Sequence, residues 1–343
     1  MAARAKPDRY LVAPDSFKGS FGAEEVADAI GRGLRAGGAQ ADLCPAGDGG
    51  EGTVAALLAA LGGELRAAAA HDPLGRPIEA RFAMLEWTPA GGGPAAAVEV
   101  AEASGLGRVA EDERDPEAAS SGGTGELIAA AVAAGARRVL VCAGGSASTD
   151  GGRGAIEAIE ASGGLAGASL EVLCDTRLPF ERAAAVFAPQ KGADQAAVRR
   201  LGERLTALAG ALPRDPRGRA MSGAAGGLAG GLWAAFGARL VPGPAFVLGL
   251  LGFDRRLEEA SAVITGEGRL DRQSLTGKLT GEVARRSRAA RVPCHAIAGE
   301  VALDAADAAR AGFGSTLAAG TLDAIADAAK LLAAGDRTSP SRR

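Results

Sequence analysis

Short apolar runs that break into loops of glycine and acid, each followed by a helical stretch, recur at both ends of this 343-residue chain. That recurrence limits the fold more than any other feature. The fullest example runs from Ala262-Val263-Ile264 into Thr265-Gly266-Glu267-Gly268-Arg269-Leu270-Asp271, then through Gln273-Ser274 to Gly277-Lys278, ahead of a helical 282–291. Glycines 266 and 268 would let the backbone pass close to a ligand. Tyr10 to Pro14 ends in Asp15-Ser16-Phe17-Lys18-Gly19-Ser20, where Ser20 can cap a helix whose apolar positions Val26, Ala27, Ile30 and Leu34 recur at helical spacing. Ala41 to Cys44 ends in Pro45-Ala46-Gly47-Asp48-Gly49-Gly50-Glu51-Gly52-Thr53 before a helical 54–61, and plainer versions follow at 295–300 and 315–320. Strand, loop and helix in that order build an α/β sheet, with ligands outside the carboxyl ends of its strands.

The strands near 11, 43, 263, 296 and 317 therefore predict one parallel sheet of the Rossmann or flavodoxin type, formed by both chain ends over 10–64 and 259–335. An inserted α/β domain spans 65–258, so that two α/β domains face each other across a cleft, and 1–9 and 336–343 read as flexible ends. Within the insertion, 79–85 and 95–100 read as strands around a Gly/Pro turn at 88–94. Arg138 to Cys142 is a clear apolar strand, 171–175 and 184–187 are further short ones, and 196–212 is an amphipathic helix. The loop Ala143-Gly144-Gly145-Ser146-Ala147-Ser148-Thr149-Asp150-Gly151-Gly152 precedes a helical 153–161. Its glycines and hydroxyls make it the best phosphate cradle in the chain.

A hydrophobic share of 47% supplies two cores, while a net charge of -3 and 3% aromatics leave neither a basic field nor a stacking surface. Nucleic acid and anionic membrane surfaces are poor partners for such a chain. No run approaches the roughly 18 apolar residues of a membrane span, and no apolar leader follows the polar Met1 to Arg9, so a cytoplasmic protein is expected. Cys44, Cys142, Cys174 and Cys294 are widely spaced in apolar runs, which suits buried free thiols in a reducing compartment.

Phosphoryl transfer needs amides or cations for phosphates, a carboxylate for magnesium, and a group at the acceptor hydroxyl. All three kinds are present, but no P-loop is: Gly277-Lys278 is followed by Leu279. Gly31-Arg32-Gly33 falls inside a helix, so the dinucleotide fingerprint fails as well. With only His71 and His295, and no G-x-S-x-G, a hydrolase triad is poorly supported. A single loop acid is ordinarily a cap or a solvated charge, and Lys191 alone would be a surface lysine. Asp15, Asp48, Glu51, Asp150, Glu267 and Asp271 point to chemistry because they gather at several strand ends.

Ala13-Pro14-Asp15-Ser16-Phe17-Lys18-Gly19-Ser20, Asp48-Gly49-Gly50-Glu51-Gly52-Thr53, Thr124-Gly125-Glu126, Gly144-Gly145-Ser146-Ala147, Pro189-Gln190-Lys191-Gly192, Gly223-Ala224-Ala225-Gly226-Gly227 and Thr265-Gly266-Glu267-Gly268, with Asp271, Ser274 and Lys278, closely resemble the type-1 glycerate kinase family over about residues 10–330. The resemblance implies phosphorylation of D-glycerate by ATP with Mg2+, favouring 2-phosphoglycerate, and a homodimer is an expectation. In the motifs it marks, Lys18 and Lys278 would hold substrate or phosphate oxygens, while Asp48 or Asp271 would orient or deprotonate the acceptor. Asp15, Ser16, Glu51 and Ser274 would line the substrate. Glu267, Asp150 or Glu51 would hold the metal, and Gly144, Gly145, Ser146, Gly151, Gly152 and Lys191 the nucleotide. The chain departs from the family at Thr176 to Glu181, in a short 162–169 segment, and at Ser148-Thr149. These departures keep two alternatives open: a kinase-like binder that senses a hydroxy acid or nucleotide, and a kinase for another small sugar acid.

Overall fold

The computed structural model describes residues 8–17, 19–87 and 93–338, the last three by backbone alone. Lys18 and most of the 88–94 turn lie outside the described residues. The chain divides into two compact units, Met1–Asp48 with Pro244–Arg343, and Gly49–Gly243.

The first unit takes β1 (Arg9–Pro14) and β2 (Gln40–Leu43) from the start of the chain, and β9 (Ala262–Leu270), β10 (Cys294–Val301) and β11 (Phe313–Ala318) from its end. All pairings are parallel in the order β11-β10-β9-β1-β2. Counted within the unit this is the flavodoxin-like order, and its direction of winding reverses between β1 and β9. Tyr10, Val12, Ile264 and Ile297 from the strands meet Ile30, Leu34 and Ile325 from the helices in a dry core. The helix Ala23–Ala36 starts two residues later than a Ser20 cap would place it, with Gly22 at the cap position. Phe17 and Phe21 bond to each other across a turn that takes up Ser20, and Glu25 holds the Gly22 amide at 2.9 Å. Gly33 lies mid-helix as expected, and a Cβ there would come within 1.9 Å of the Ala326 carbonyl oxygen, so the helix Leu322–Thr338 packs directly on its backbone.

The second unit is a mixed sheet in the order β3 (Gly63–His71), β4 (Pro77–Leu85), β5 (Ala95–Glu99), β6 (Arg138–Cys142), β7 (Ser169–Cys174) and β8 (Arg239–Pro242). The first three strands run antiparallel and the last four parallel. Its core joins Val98, Val139, Val141 and Val172 to Leu127, Ile128, Ile159 and Leu228 from the helices. Residues 184–187 are not a strand. They belong to a helix, Ala183–Phe187, because alanines with good helical propensity place Ala183 and Ala184 against Leu201 and Leu205 of the helix Gln195–Ala211.

The boundaries fall earlier than 64/65 and 258/259. Helix Thr53–Leu61 packs on β4 and β5 and so goes with the second unit, while helix Phe253–Glu259 packs on β1. All four cysteines are buried thiols outside any disulfide. Among the described residues no helix is long and apolar enough to cross a membrane.

Candidate active site

The first unit holds a cavity of about 440 Å³ at the carboxyl ends of β1 and β9, the point where the sheet reverses its winding. Asp15 follows β1 directly. Its amide is tied to the Gly266 carbonyl at 2.8 Å, and its Oδ1 accepts from the Ser16 amide at 2.7 Å. The chain beyond β2 keeps bonding to β1, from the Cys44 amide to the Val12 carbonyl and from Ala46 to Pro14, which carries Asp48 to the same rim. Asp48 is 1% exposed, and its Oδ2 lies 3.4 Å from the ammonium of Lys278, the residue just ahead of helix Leu279–Ala289. Glu267, on β9, completes the set. Burial pushes its carboxyl above the ordinary range, partly held back by the Thr280 and Ser274 hydroxyls and the Lys278 charge. Its Oε1 is buried without a hydrogen-bond partner.

Asp271 and Ser274 line the same cavity but are engaged with each other. The Asp271 amide donates to Ser274 Oγ at 3.0 Å, and Asp271 Oδ1 accepts from the Gln273 amide at 2.7 Å. They shape the loop first, and the second Asp271 oxygen, Oδ2, lies 3.8 Å from Arg269 Nε. Gly266 does not make room for a ligand. A Cβ there would lie 2.1 Å from the Ile297 carbonyl oxygen, so the space is taken by β10.

An orphaned buried carboxylate oxygen among acids is a fitting place for a hard cation. Among the described residues no three such groups converge as a preformed cage. The fit is therefore to an ion that keeps most of its waters and takes one or two protein oxygens, which is the habit of Mg2+.

In the second unit, the loop after β6 packs against the Gly49–Thr53 turn so closely that a Cβ on Gly144 would lie 2.5 Å from the Gly50 Cα. Gly145 is exposed at φ +68°. Ser146 is buried, and its Oγ accepts from Lys191 Nζ at 2.9 Å. Lys191 also donates to the Ser148 carbonyl and is only 3% exposed; burial pulls its ammonium down to about 7 while the charge of Asp150 opposes that shift. It is no surface lysine. Gly151 and Gly152 are buried: a Cβ on the former would strike Leu205, Leu208 and Phe180, and one on the latter Leu228. Asp150 accepts from the Ser121 amide (2.9 Å) and hydroxyl (2.7 Å) and from the amides of Gly152 (3.0 Å) and Gly154 (3.1 Å). Four donors leave it little capacity for a metal, and they close the amino end of helix Arg153–Ala161 to a phosphate. Glu51 is exposed beside Gly145.

Sequence reasoning missed Glu99. It is 8% exposed at the end of β5, accepts from the Val54 amide at 2.7 Å, and is pushed up to about 7 mainly by burial, the charges of Glu102 and Glu51 adding to it. A lone acid closing the all-apolar Ala95–Val98 run was the available signal.

The sequence profile described as the Glycerate kinase family matches residues 10–163 and 160–337, and so reaches across both units. The chain belongs to the glycerate kinase family. It is 38% identical over 336 residues to a protein named glycerate kinase from Bacillus subtilis, covering 86% of each chain. It is 36% identical over 333 residues to one named glycerate 2-kinase from Escherichia coli K12, again covering 86% of each. A crystal structure assigned as glycerate kinase 2 from Salmonella typhimurium LT2 superposes with a TM-score of 0.78 at 32% identity, over 96% of this chain and 98% of that one. The departures from the family pattern are absorbed locally. Thr176 to Glu181 docks through the carbonyls of Arg177 and Leu178, which accept from the amides of Met221 (3.2 Å) and Gly223 (2.9 Å), and Phe180 is fully buried. The short 162–169 segment turns on Gly163, Gly164 and Gly167, all at positive φ, and enters β7 at Ser169.

Proposed function

We propose that the protein transfers the γ-phosphoryl group of ATP to a hydroxyl of D-glycerate, giving phosphoglycerate, with 2-phosphoglycerate favoured. Its relatives named glycerate kinase and glycerate 2-kinase support the acceptor and the position. The observation that carries the reading is the buried Asp48 beside the Lys278 ammonium, with Glu267, on a cavity at the switch point of a flavodoxin-like sheet.

Asp48 accepts the acceptor hydroxyl's proton or orients that hydroxyl, and Lys278 holds substrate carboxylate or phosphoryl oxygens against the surrounding acids. Lys18 is assigned the same role on its motif, and Asp15 and Ser16 would line the substrate. Glu267 would hold Mg2+ directly or through water, and the ion when bound neutralises charge on the transferring group. Asp271 and Ser274 keep the β9 loop in shape. The second unit supplies the nucleotide loop, Gly144 to Thr149. Gly151, Gly152 and Asp150 support that loop from behind. Glu51, exposed beside Gly145, remains a candidate for an outer metal contact.

The acids and lysine around the cavity favour catalysis over a binder that only senses its ligand, since a sensor has no need of so many desolvated charges. An ADP-release assay with ATP, Mg2+ and D-glycerate, followed by phosphorus NMR of the product, tests this directly. Glycerate-dependent ADP with a 2-phosphate signal is expected. Thermal stabilisation by glycerate without turnover would favour the sensor, and turnover only with another hydroxy acid would reassign the substrate.

A further inference from the structure

Lys191 is the least expected group in the second unit, because lysine is almost never fully buried without a purpose. The turn Pro189–Lys191 bonds the Lys191 amide to the Ala188 carbonyl and the Gly192 amide to the Pro189 carbonyl, Gly192 at φ +101° ends it, and the Lys191 side chain is buried. There Nζ reaches Ser146 Oγ and the Ser148 carbonyl, so one ammonium spans three residues of the β6 loop. On the other side lies a cavity of about 10 Å³, lined by Leu106, Val109 and Ala147 among others, with room for a single water. No substrate-sized ligand reaches the ammonium from there.

Resting on the reading that the Gly144 to Thr149 loop takes the nucleotide's phosphates, we propose that Lys191 is a positioning residue for that loop. It does not touch the nucleotide; it fixes the shape in which Gly145 and its neighbours meet it. The loop needs such a clamp. Ser148 Oγ and Thr149 Oγ1 are both buried without a hydrogen-bond partner, so the loop is not held in its most comfortable conformation by its own bonds. The clamp also works against stability. Asp150 in the loop, with Arg114 and Asp115 around the small cavity, are the charges near the ammonium, and they do not offset its burial. Its folded pKa of about 7 lies below the ordinary 10.5. The unfolded chain therefore binds more protons between those values. The cost of the lysine is complete below about pH 7 and is recovered as pH rises toward 10.5.

Lys191→Met keeps the stem and removes the ammonium. The expected result at pH 7 is an unchanged or higher Tm, a Kd and KM for Mg-ATP raised about 10- to 100-fold, and a KM for glycerate unchanged. In wild type, kcat/KM for ATP should decline above about pH 7 as the ammonium loses its proton, and this limb should vanish in the variant. Equal loss of every parameter together with a lower Tm would make Lys191 merely structural and overturn the proposal. So would a folded variant with wild-type ATP affinity and kinetics. Calorimetric binding of Mg-ATP separates the two levels: a wild type that binds ATP without phosphorylating glycerate defeats the kinase reading but still judges Lys191, and one that binds no ATP overturns both.

Discussion

Asp48→Asn is the substitution that most directly tests the site. The side chain keeps its size and can still accept from Lys278, so what is removed is the negative charge. At 3.4 Å the gross attraction between the two charges is about 5 kcal/mol at an effective dielectric constant of about 20. Lys278 keeps 26% of its side chain exposed and regains hydration when the carboxylate is neutralised. The net loss of stability is therefore about 1–2 kcal/mol, well under the full cost of stranding a deeply buried charge. For a unit of this size that is a fall in Tm of about 2–8 °C. A positioned base contributes about 10²- to 10⁴-fold to rate, so kcat should fall by that factor while the Kd for nucleotide stays put. The coupled ADP-release assay reads kcat, and calorimetry and a melting curve read the rest. A turnover number within about threefold of wild type would remove Asp48 from the chemistry, because a general base worth so little is not acting as one. A collapse of Tm far beyond the stated range would show that the pair is structural.

Two other acids should behave differently. Glu99 has a folded pKa of about 7, above its ordinary 4.5, so the folded state binds more protons in that window and stability contributed by the neutral form is lost as pH rises through it. Glu99→Gln keeps the acceptor for the Val54 amide; its unfolding free energy should exceed that of wild type at pH 8 by at most about 3 kcal/mol and match it near pH 4.5, and a difference independent of pH would refute the assignment. Asp150→Asn places an amide group among four donors and should cost about 2–3 kcal/mol of stability, seen in chemical denaturation, while kcat per folded molecule changes little. Loss of turnover in a fully folded Asp150→Asn would instead return that residue to the metal site.

Much of the first unit was legible because two independent patterns coincide there. The period of the apolar residues places the strands, and the polar and charged residues at their ends gather at one cavity: Asp15, Asp48, Glu267, Asp271, Ser274 and Lys278 all line it. Strand β3 was not legible. Leu65 to Ala70 is an alanine run with neither a period of two nor β-branched residues, and it is held in place by pairing with β4 along its whole length. Nor was the boundary at Asp48, since the apolar face of helix Thr53–Leu61 does not announce which sheet it will cover. Pairing and docking of this kind are decided by distant partners.

The same limit explains why acids in one grammar came to differ in use. Glu267 and Asp150 both stand in glycine-rich sequence after a short apolar run and ahead of a helix, and by sequence both suit a metal. What separates them is the third element at each loop. At Asp150, Ser121 arrives from the start of helix Gly122–Ala133 and adds an amide and a hydroxyl to the amides of the loop itself, so the carboxylate is consumed as a cap. At Glu267 the hydroxyls of Thr280 and Ser274 only partly hold back the effect of burial, and Glu267 Oε1 is left over. An acid that has spent its lone pairs on donors holds a backbone still. One that keeps an unpaired oxygen in an acidic cavity can still take a positive charge, and under the proposed function that is where a cation would bind.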